Sequence, residues 1–253
     1  MKQRHHLVLI HGFPHDHRVW EFQLNAFPDH IHVLAPDLRG FGNDRQKLPE
    51  VMTMEEYASG ILGSLDRSGI ERVTLCGLSM GGYVSMAFLD RYPDRVRSLI
   101  LCNTKASADE AEARQNRYKV AEQAFDPGVA VIARGMISKM LTDRTRAERP
   151  AIADGIEKMM AGQRPEAVAA ASRGMAQRPD RREWLRGLKI PATIITGNED
   201  RLMDLATSRE MHEAIAGSEL VVIDGAAHLT NVDRPAEFNQ AVIAHFDRLD
   251  RSA

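Results

Sequence analysis

The feature that most restricts this chain is the pentapeptide Gly77-Leu78-Ser79-Met80-Gly81, followed by a further glycine, Gly82. A short apolar run, Val73 to Cys76, precedes it, and a helical pattern from Met80 to Arg91 follows. A strand that turns into a helix within so few residues puts its corner residue in a strained conformation, so the neighbours must be small. Glycines on either side of Ser79 supply that room. The serine is then pushed out at the carboxyl end of its strand, where open α/β sheets place their sites. The N–H of Met80, at the helix start, points toward any oxyanion that forms near Ser79. The five residues alone are a weak signal; the strand before them and the helix after them make it a strong one.

The rest of the chain has the matching rhythm. Short apolar runs at residues 6–10, 31–35, 73–76, 96–102, 192–196 and 220–223 read as strands buried on both faces. Helical patterns lie between them, at about residues 17–27, 53–67, 80–91, 205–216 and 235–249. This alternation predicts an α/β fold: a mostly parallel sheet of about six strands with helices on both faces. One stretch breaks it. Residues 105–186 show no strand and carry breakers at Pro127-Gly128, Pro150, Gly162, Pro165 and Pro179, which predicts four or five short helices inserted into a core of residues 1–104 and 187–253. The insertion holds 16 Lys and Arg against 12 Asp and Glu, so a net charge of −2 for the whole chain hides a basic insertion and an acidic remainder. Its methionines, Met136, Met140, Met159, Met160 and Met175, either pack a small core of their own or form an adaptable ceiling over a pocket.

Composition narrows the classes of function. A chain of 253 residues, 43% hydrophobic and 27% charged, has room for one large core. The near-neutral balance gives no reason to expect nucleic acid. No apolar run approaches the roughly 20 residues of a membrane span, and the apolar stretch from Leu7 to Ile10 is too short for a secretion signal. The two cysteines, Cys76 and Cys102, sit in strand-like runs and read as buried free thiols. Together these features predict a cytoplasmic protein.

A serine hydroxyl needs a base to take its proton, and the base needs an acid to orient it. Among ten histidines, His228 is best placed, in the loop after the last strand. His212 and His245 fall within helices, and His30 and His32 flank an early strand. The acid is expected after the strand that follows the insertion, in Gly197-Asn198-Glu199-Asp200. Asp200 is the choice, with Glu199 as rival and Asp204 behind it; Asp224 belongs to a turn. A second possible place for an acid, after Cys102, holds the neutral Asn103. The loop after the first strand, His11-Gly12-Phe13-Pro14, offers the Phe13 N–H as a second oxyanion donor, since Pro14 has none. His11 organises that loop. His15-Asp16-His17 has no companion cluster at ligand spacing, so no metal is expected.

These residues resemble the α/β-hydrolase superfamily over essentially the whole chain. His11–Pro14 resembles its oxyanion loop, Asp37-Leu38-Arg39-Gly40-Phe41-Gly42 its D-x-R-G-x-G turn, and Gly77–Gly82 its nucleophile elbow. Gly197–Asp200 resembles its acid loop and Gly225-Ala226-Ala227-His228 its histidine loop, in the family's order of serine, acid and histidine. The insertion resembles the family's helical cap. Serine at the elbow argues against haloalkane dehalogenases and epoxide hydrolases, which carry aspartate there. The likeness is greatest to carboxylesterases and 3-oxoadipate enol-lactonases. Members usually begin with two more strands, so the run at residues 31–35 is expected at a sheet edge, open to pairing in a homodimer.

The resemblance implies a serine hydrolase for small carboxylic esters or lactones, with Ser79, Asp200 and His228 as the triad and Phe13 and Met80 as oxyanion donors. It implies no cofactor. Met136, Met140, Met203 and Leu229 are expected to shape a mostly apolar pocket. Other readings are an enol-lactonase-like or carbon–carbon bond hydrolase, and more remotely a receptor or a cofactor-free oxygenase on the same fold.

Overall fold

The computed structural model describes residues 3–251. The core opens with β1 (His5–Ile10), β2 (Ile31–Leu34), α1 (Met54–Arg67), β3 (Val73–Leu78), α2 (Met80–Arg91) and β4 (Val96–Cys102). The inserted helices follow: α3 (Ala111–Gln123), α4 (Val129–Met140), α5 (Asp143–Glu148), α6 (Pro150–Ala161), α7 (Pro165–Ala176) and the short α8 (Arg182–Leu185). The chain then returns to the core with β5 (Ala192–Gly197), α9 (Leu205–Ala214), β6 (Glu219–Ile223), α10 (Thr230–Asp233) and α11 (Pro235–Arg251).

The six strands form one parallel sheet in the order β2-β1-β3-β4-β5-β6. Alternate residues divide between its two faces, as a pleated strand requires. Val8, Ile10, Leu75, Leu99, Leu101 and Ile194 join one buried cluster, and Leu7, Leu9, Cys76, Ile100, Cys102 and Ile195 join the other. Helices α1 and α2 supply Tyr57, Ile61, Val84 and Phe88 to the first cluster, and α11 supplies Phe238, Val242 and Phe246 to the second. The inserted helices contribute to both: Val168 and Met175 to the first, Met140, Met159 and Met160 to the second. Their methionines therefore share the sheet's clusters and form no separate core.

Register decides where the site falls. Ile10 pairs with Gly77, Leu78 with Cys102, and Gly197 with Ile223. The carboxyl ends of β1, β3, β4, β5 and β6 are therefore level, and the loops carrying Phe13, Ser79, Asn103, Asp200 and His228 all leave from that one edge. β2 stands at one side of the sheet, as the sequence predicts.

The helix expected at residues 17–27 is a single 3-10 turn, His17–Trp20. Tertiary anchoring wins there. Asn231 Nδ2 donates to the Val19 carbonyl at 2.7 Å, while the Gln23 N–H that a helix would direct to it bonds Trp20 O at 2.8 Å. By contrast α1 begins where the sequence signals it, because Thr53 and Glu56 form a capping box. At the opposite end of the sheet from the loops, the buried His245 bonds Thr193 through Nδ1 (2.7 Å) and Ser98 through Nε2 (2.8 Å), and Ser98 bonds Thr74 (2.7 Å). Cys76 and Cys102 are buried free thiols. No helix among the described residues is long and apolar enough to cross a membrane.

Candidate active site

Ser79 has φ 54° and ψ −115°, a conformation that side chains rarely adopt. The turn that imposes it is crowded. A Cβ on Gly81 would lie 2.1 Å from the Ile10 carbonyl oxygen, and one on Gly77 2.3 Å from Gly81 O, so neither position accepts a larger residue. Two hydrogen bonds fix the corner from β4: the Ser79 N–H donates to Cys102 O at 2.9 Å, and Thr104 Oγ1 donates to Ser79 O at 2.7 Å.

His228 and Asp200 meet beside it. His228 Nδ1 lies 2.9 Å from Asp200 Oδ2, with both side chains almost fully buried. The carboxylate only accepts, so Nδ1 carries the proton and Nε2 presents its lone pair. No hydrogen bond among the described residues takes up that Nε2. Asp200 is held on both oxygens: Oδ1 accepts from the Leu202 and Met203 N–H groups at 2.8 and 3.0 Å, and Oδ2 also accepts from Asn103 Nδ2 at 2.9 Å. Burial opposes its ionisation, but the electrostatic attraction of the His228 ring and the hydrogen bonds from His228, Asn103 and Met203 outweigh it and hold the carboxyl below its ordinary value.

The rival acids are occupied elsewhere or exposed. Asp204 caps α9 by accepting from the Thr207 N–H at 2.9 Å, Asp224 accepts from Asn198 at 3.1 Å, and Glu199 is exposed. Asn103 is the residue that sequence reasoning set aside. The sequence offers its place only as a site for an acid, whereas its amide donates to the acid from the neighbouring strand. It holds a left-handed φ of 46° and also donates to Ala227 O at 3.3 Å, which ties the acid loop to the histidine loop.

The loop after β1 is equally fixed. His11 Nδ1 bonds Gly12 O at 2.9 Å and its Nε2 accepts the Leu38 N–H at 3.0 Å, so this buried ring joins two loops as an organiser. His15 is buried with neither nitrogen partnered, and burial lowers it to about 3. Asp16, His17 and Asp37 place potential metal-ligand atoms within 4.8 Å of one another. Those atoms are engaged within the protein: Asp16 accepts from Arg18 (2.6 Å) and Gln163 (2.8 Å), and Asp37 bonds His17 (2.8 Å). The Gln163 bond also ties the inserted helices to this loop.

Ser79, His228 and Phe13 line one cavity of about 530 Å³, to which α3 and α4 also contribute lining residues. Met80, fully buried, begins α2 beneath it. Met136, Met140 and Met203 line this cavity, and so does Met175. Leu229 does not. Its side chain is fully buried in the cluster on the α11 face of the sheet, where the Leu229 N–H bonds Met140 O at 2.8 Å, so it supports the wall from behind. Most of the lining is apolar, as the sequence predicts, but one side of it is polar. The polar α3 contributes Asn116, Arg117 and Gln123 to it, and Lys105, Asp109 and Lys139 join them.

The alpha/beta hydrolase fold family matches residues 5–235 of the sequence. The chain belongs to this family. Among its relatives, this α/β hydrolase is 28% identical over 232 residues to 3-oxoadipate enol-lactonase 2 of Acinetobacter baylyi, covering 92% of this chain and 85% of that one. Its structure is similar to a thermophilic esterase from Thermogutta terrifontis, solved with malate bound, at TM-score 0.94 and 37% identity, covering 99% of this chain and 92% of the other. It is also similar to the enol-lactonase from Burkholderia xenovorans at TM-score 0.89 and 28% identity, covering 97% and 92%. The α/β hydrolase thus resembles both carboxylesterases and enol-lactonases.

Proposed function

We propose that this α/β hydrolase is a serine hydrolase that cleaves small carboxylic esters or lactones through an acyl-enzyme intermediate. The observation that carries the reading is the buried His228–Asp200 pair opening onto the same cavity as the strained Ser79. In this mechanism Ser79 Oγ attacks the acyl carbon as His228 Nε2 takes its proton. The Phe13 and Met80 N–H groups hold the oxyanion. Collapse of the tetrahedral intermediate breaks the acyl–oxygen bond, and His228 returns the proton to the leaving alcohol or to the enol or hydroxyl of an opened lactone. Water then attacks the acyl carbon as His228 takes one of its protons; the bond from that carbon to Ser79 Oγ breaks, His228 returns the proton to Oγ, and the acid leaves. Asp200 orients the imidazole and stabilises its charge throughout.

The relatives support this chemistry, since an esterase and two enol-lactonases stand among them. The two buried thiols, 3.6 Å apart and not joined in a disulfide, fit action in the cytoplasm. Pairing of two copies across the β2 edge accompanies the reading, and sedimentation as a monomer at tens of micromolar would remove it. The central test is covalent. A fluorophosphonate probe should modify Ser79 alone in a peptide map, and modification elsewhere would defeat the assignment. A panel of 4-nitrophenyl esters of rising chain length, several lactones and 3-oxoadipate enol-lactone then separates esterase from lactonase.

A further inference from the structure

One wall of the cavity carries more positive charge than the fold needs. Asp109 is its only acidic lining residue among those described, against Lys105, Arg117 and Lys139. Asp109 is also already neutralised. Arg178, buried like it, grips both carboxylate oxygens at 2.8 Å, the geometry that satisfies a carboxylate best. Arg178 further bonds Met175 O and Ser107 O, and its guanidinium lies 4.2 Å from the centre of the Tyr83 ring. That pair is the structural element of this wall.

Lys105 and Arg117 are surplus to it. Lys105 Nζ lies 3.1 Å from Asp109 Oδ1, and Arg117 Nε 3.0 Å from Asp109 Oδ2. These contacts use one donor of the three on the ammonium and one of the five on the guanidinium. Both side chains keep about a quarter of their surface open. One carboxylate thus faces three cations, leaving two positive charges on a half-enclosed wall. Tyr83 completes it. The residue lines the same cavity, is 3% exposed, and its hydroxyl has no partner. A buried hydroxyl without a partner costs free energy unless something else meets it. Lys139, from α4, lines the cavity as well and makes no ion pair among the described residues.

We propose that this wall is a carboxylate subsite. Lys105 Nζ and the unused Arg117 Nη groups bind an anionic substituent of the substrate, and Tyr83 Oη donates a further hydrogen bond to it. The substrate class is accordingly an ester or lactone that bears a free carboxylate at a distance from the scissile bond. This deepens the hydrolase reading above and rests on it.

The test compares matched substrates in two arms. With the charge on the acyl side, the 4-nitrophenyl half-ester of adipic acid is set against 4-nitrophenyl hexanoate. With the charge on the alcohol side, 4-acetoxybenzoate is set against 4-acetoxybenzamide. The readout is the ratio of kcat/KM, anionic over neutral. The protein should favour the anion at least about tenfold in one arm, and that arm names the side of the scissile bond which faces the wall. Lys105→Met and Arg117→Met should each lower the ratio several-fold, and the pair together should bring it near one; Tyr83→Phe should lower it less. Lys105→Arg, which keeps the charge, should retain the preference, as should Lys119→Met, a charge removal on α3 outside the cavity. Each single charge removal leaves Asp109 two cations, so the fold is not at stake, and melting curves verify that. Turnover of neutral esters with no preference for the anion in either arm, or a preference untouched by the double substitution, would overturn the subsite alone. Absence of turnover on every ester, with no fluorophosphonate adduct, would overturn the hydrolase reading and the subsite with it.

Discussion

Among the buried histidines, His245 and His228 stand at opposite ends of the sheet and are bonded in opposite ways. His245 spends both ring nitrogens on hydroxyls, Thr193 and Ser98, and a second hydroxyl, Thr74, closes the chain. Burial lowers it to about 4, so it is a neutral hydrogen-bonding spacer. His228 spends one nitrogen on a carboxylate and leaves the other toward a cavity that it shares with Ser79. The residue types are the same on both sides: histidine with hydroxyls nearby. A saturated ring can only hold structure together. A ring with an acid behind it and an unclaimed lone pair in front can accept a proton and keep the charge. Strain follows the same division, since the left-handed Ser79 and Asn103 both stand at the His228 end.

Substitutions at the two ends should separate these roles. The largest effect belongs to Ser79→Ala, which should remove ester turnover by at least about 10³-fold while melting like the parent; half the activity retained would end the assignment. Asp200→Asn should cost about 10²–10⁴ in kcat, because the imidazolium loses its counter-charge. Glu199→Gln should change it less than about twofold, and the reverse order would show that the other carboxylate acts. Asn103→Ala should lower kcat roughly tenfold with little change in KM, since it loosens Asp200 without touching substrate. At the other end, His245→Gln should leave kcat within about twofold but lower stability by roughly 1–3 kcal/mol through unpaired hydroxyls.

The smallest effect is one of pH. The folded state resists a proton that the unfolded chain takes up below His245's ordinary value of 6.5. Its contribution to stability is full above that pH and is lost as pH falls toward about 4, at up to roughly 1.4 kcal/mol per unit. Urea midpoints at pH 7 and pH 5 should therefore differ less in His245→Gln than in the parent. An unchanged difference would assign the slope to another group, with His15, lowered to about 3 by burial, as the next candidate.

The core was readable because parallel strands buried on both faces are continuous apolar runs, and because the elbow's glycines admit one geometry. Asp200 and His228 followed from their places after β5 and β6. The rest depended on contacts that no local pattern encodes. Asn103 reads as a strand-end polar residue, and only the β4–β5 pairing brings it to Asp200. The turn at His17–Trp20 looked like a longer helix because nothing nearby announces that Asn231 will claim the Val19 carbonyl. The polar wall is not legible in the sequence, because α3 carries only one buried residue, Ala121, and so no stripe to reveal which side faces the cavity.

The inserted helices leave the sheet at Cys102 and return at Ala192, and these residues sit on adjacent strands, with Leu99 opposite Ala192. An excursion whose two ends lie on adjacent strands can be lengthened, shortened or exchanged at a closure cost that grows only slowly with its length. The scaffold can thus keep its reactive groups fixed while the roof above them is traded for another.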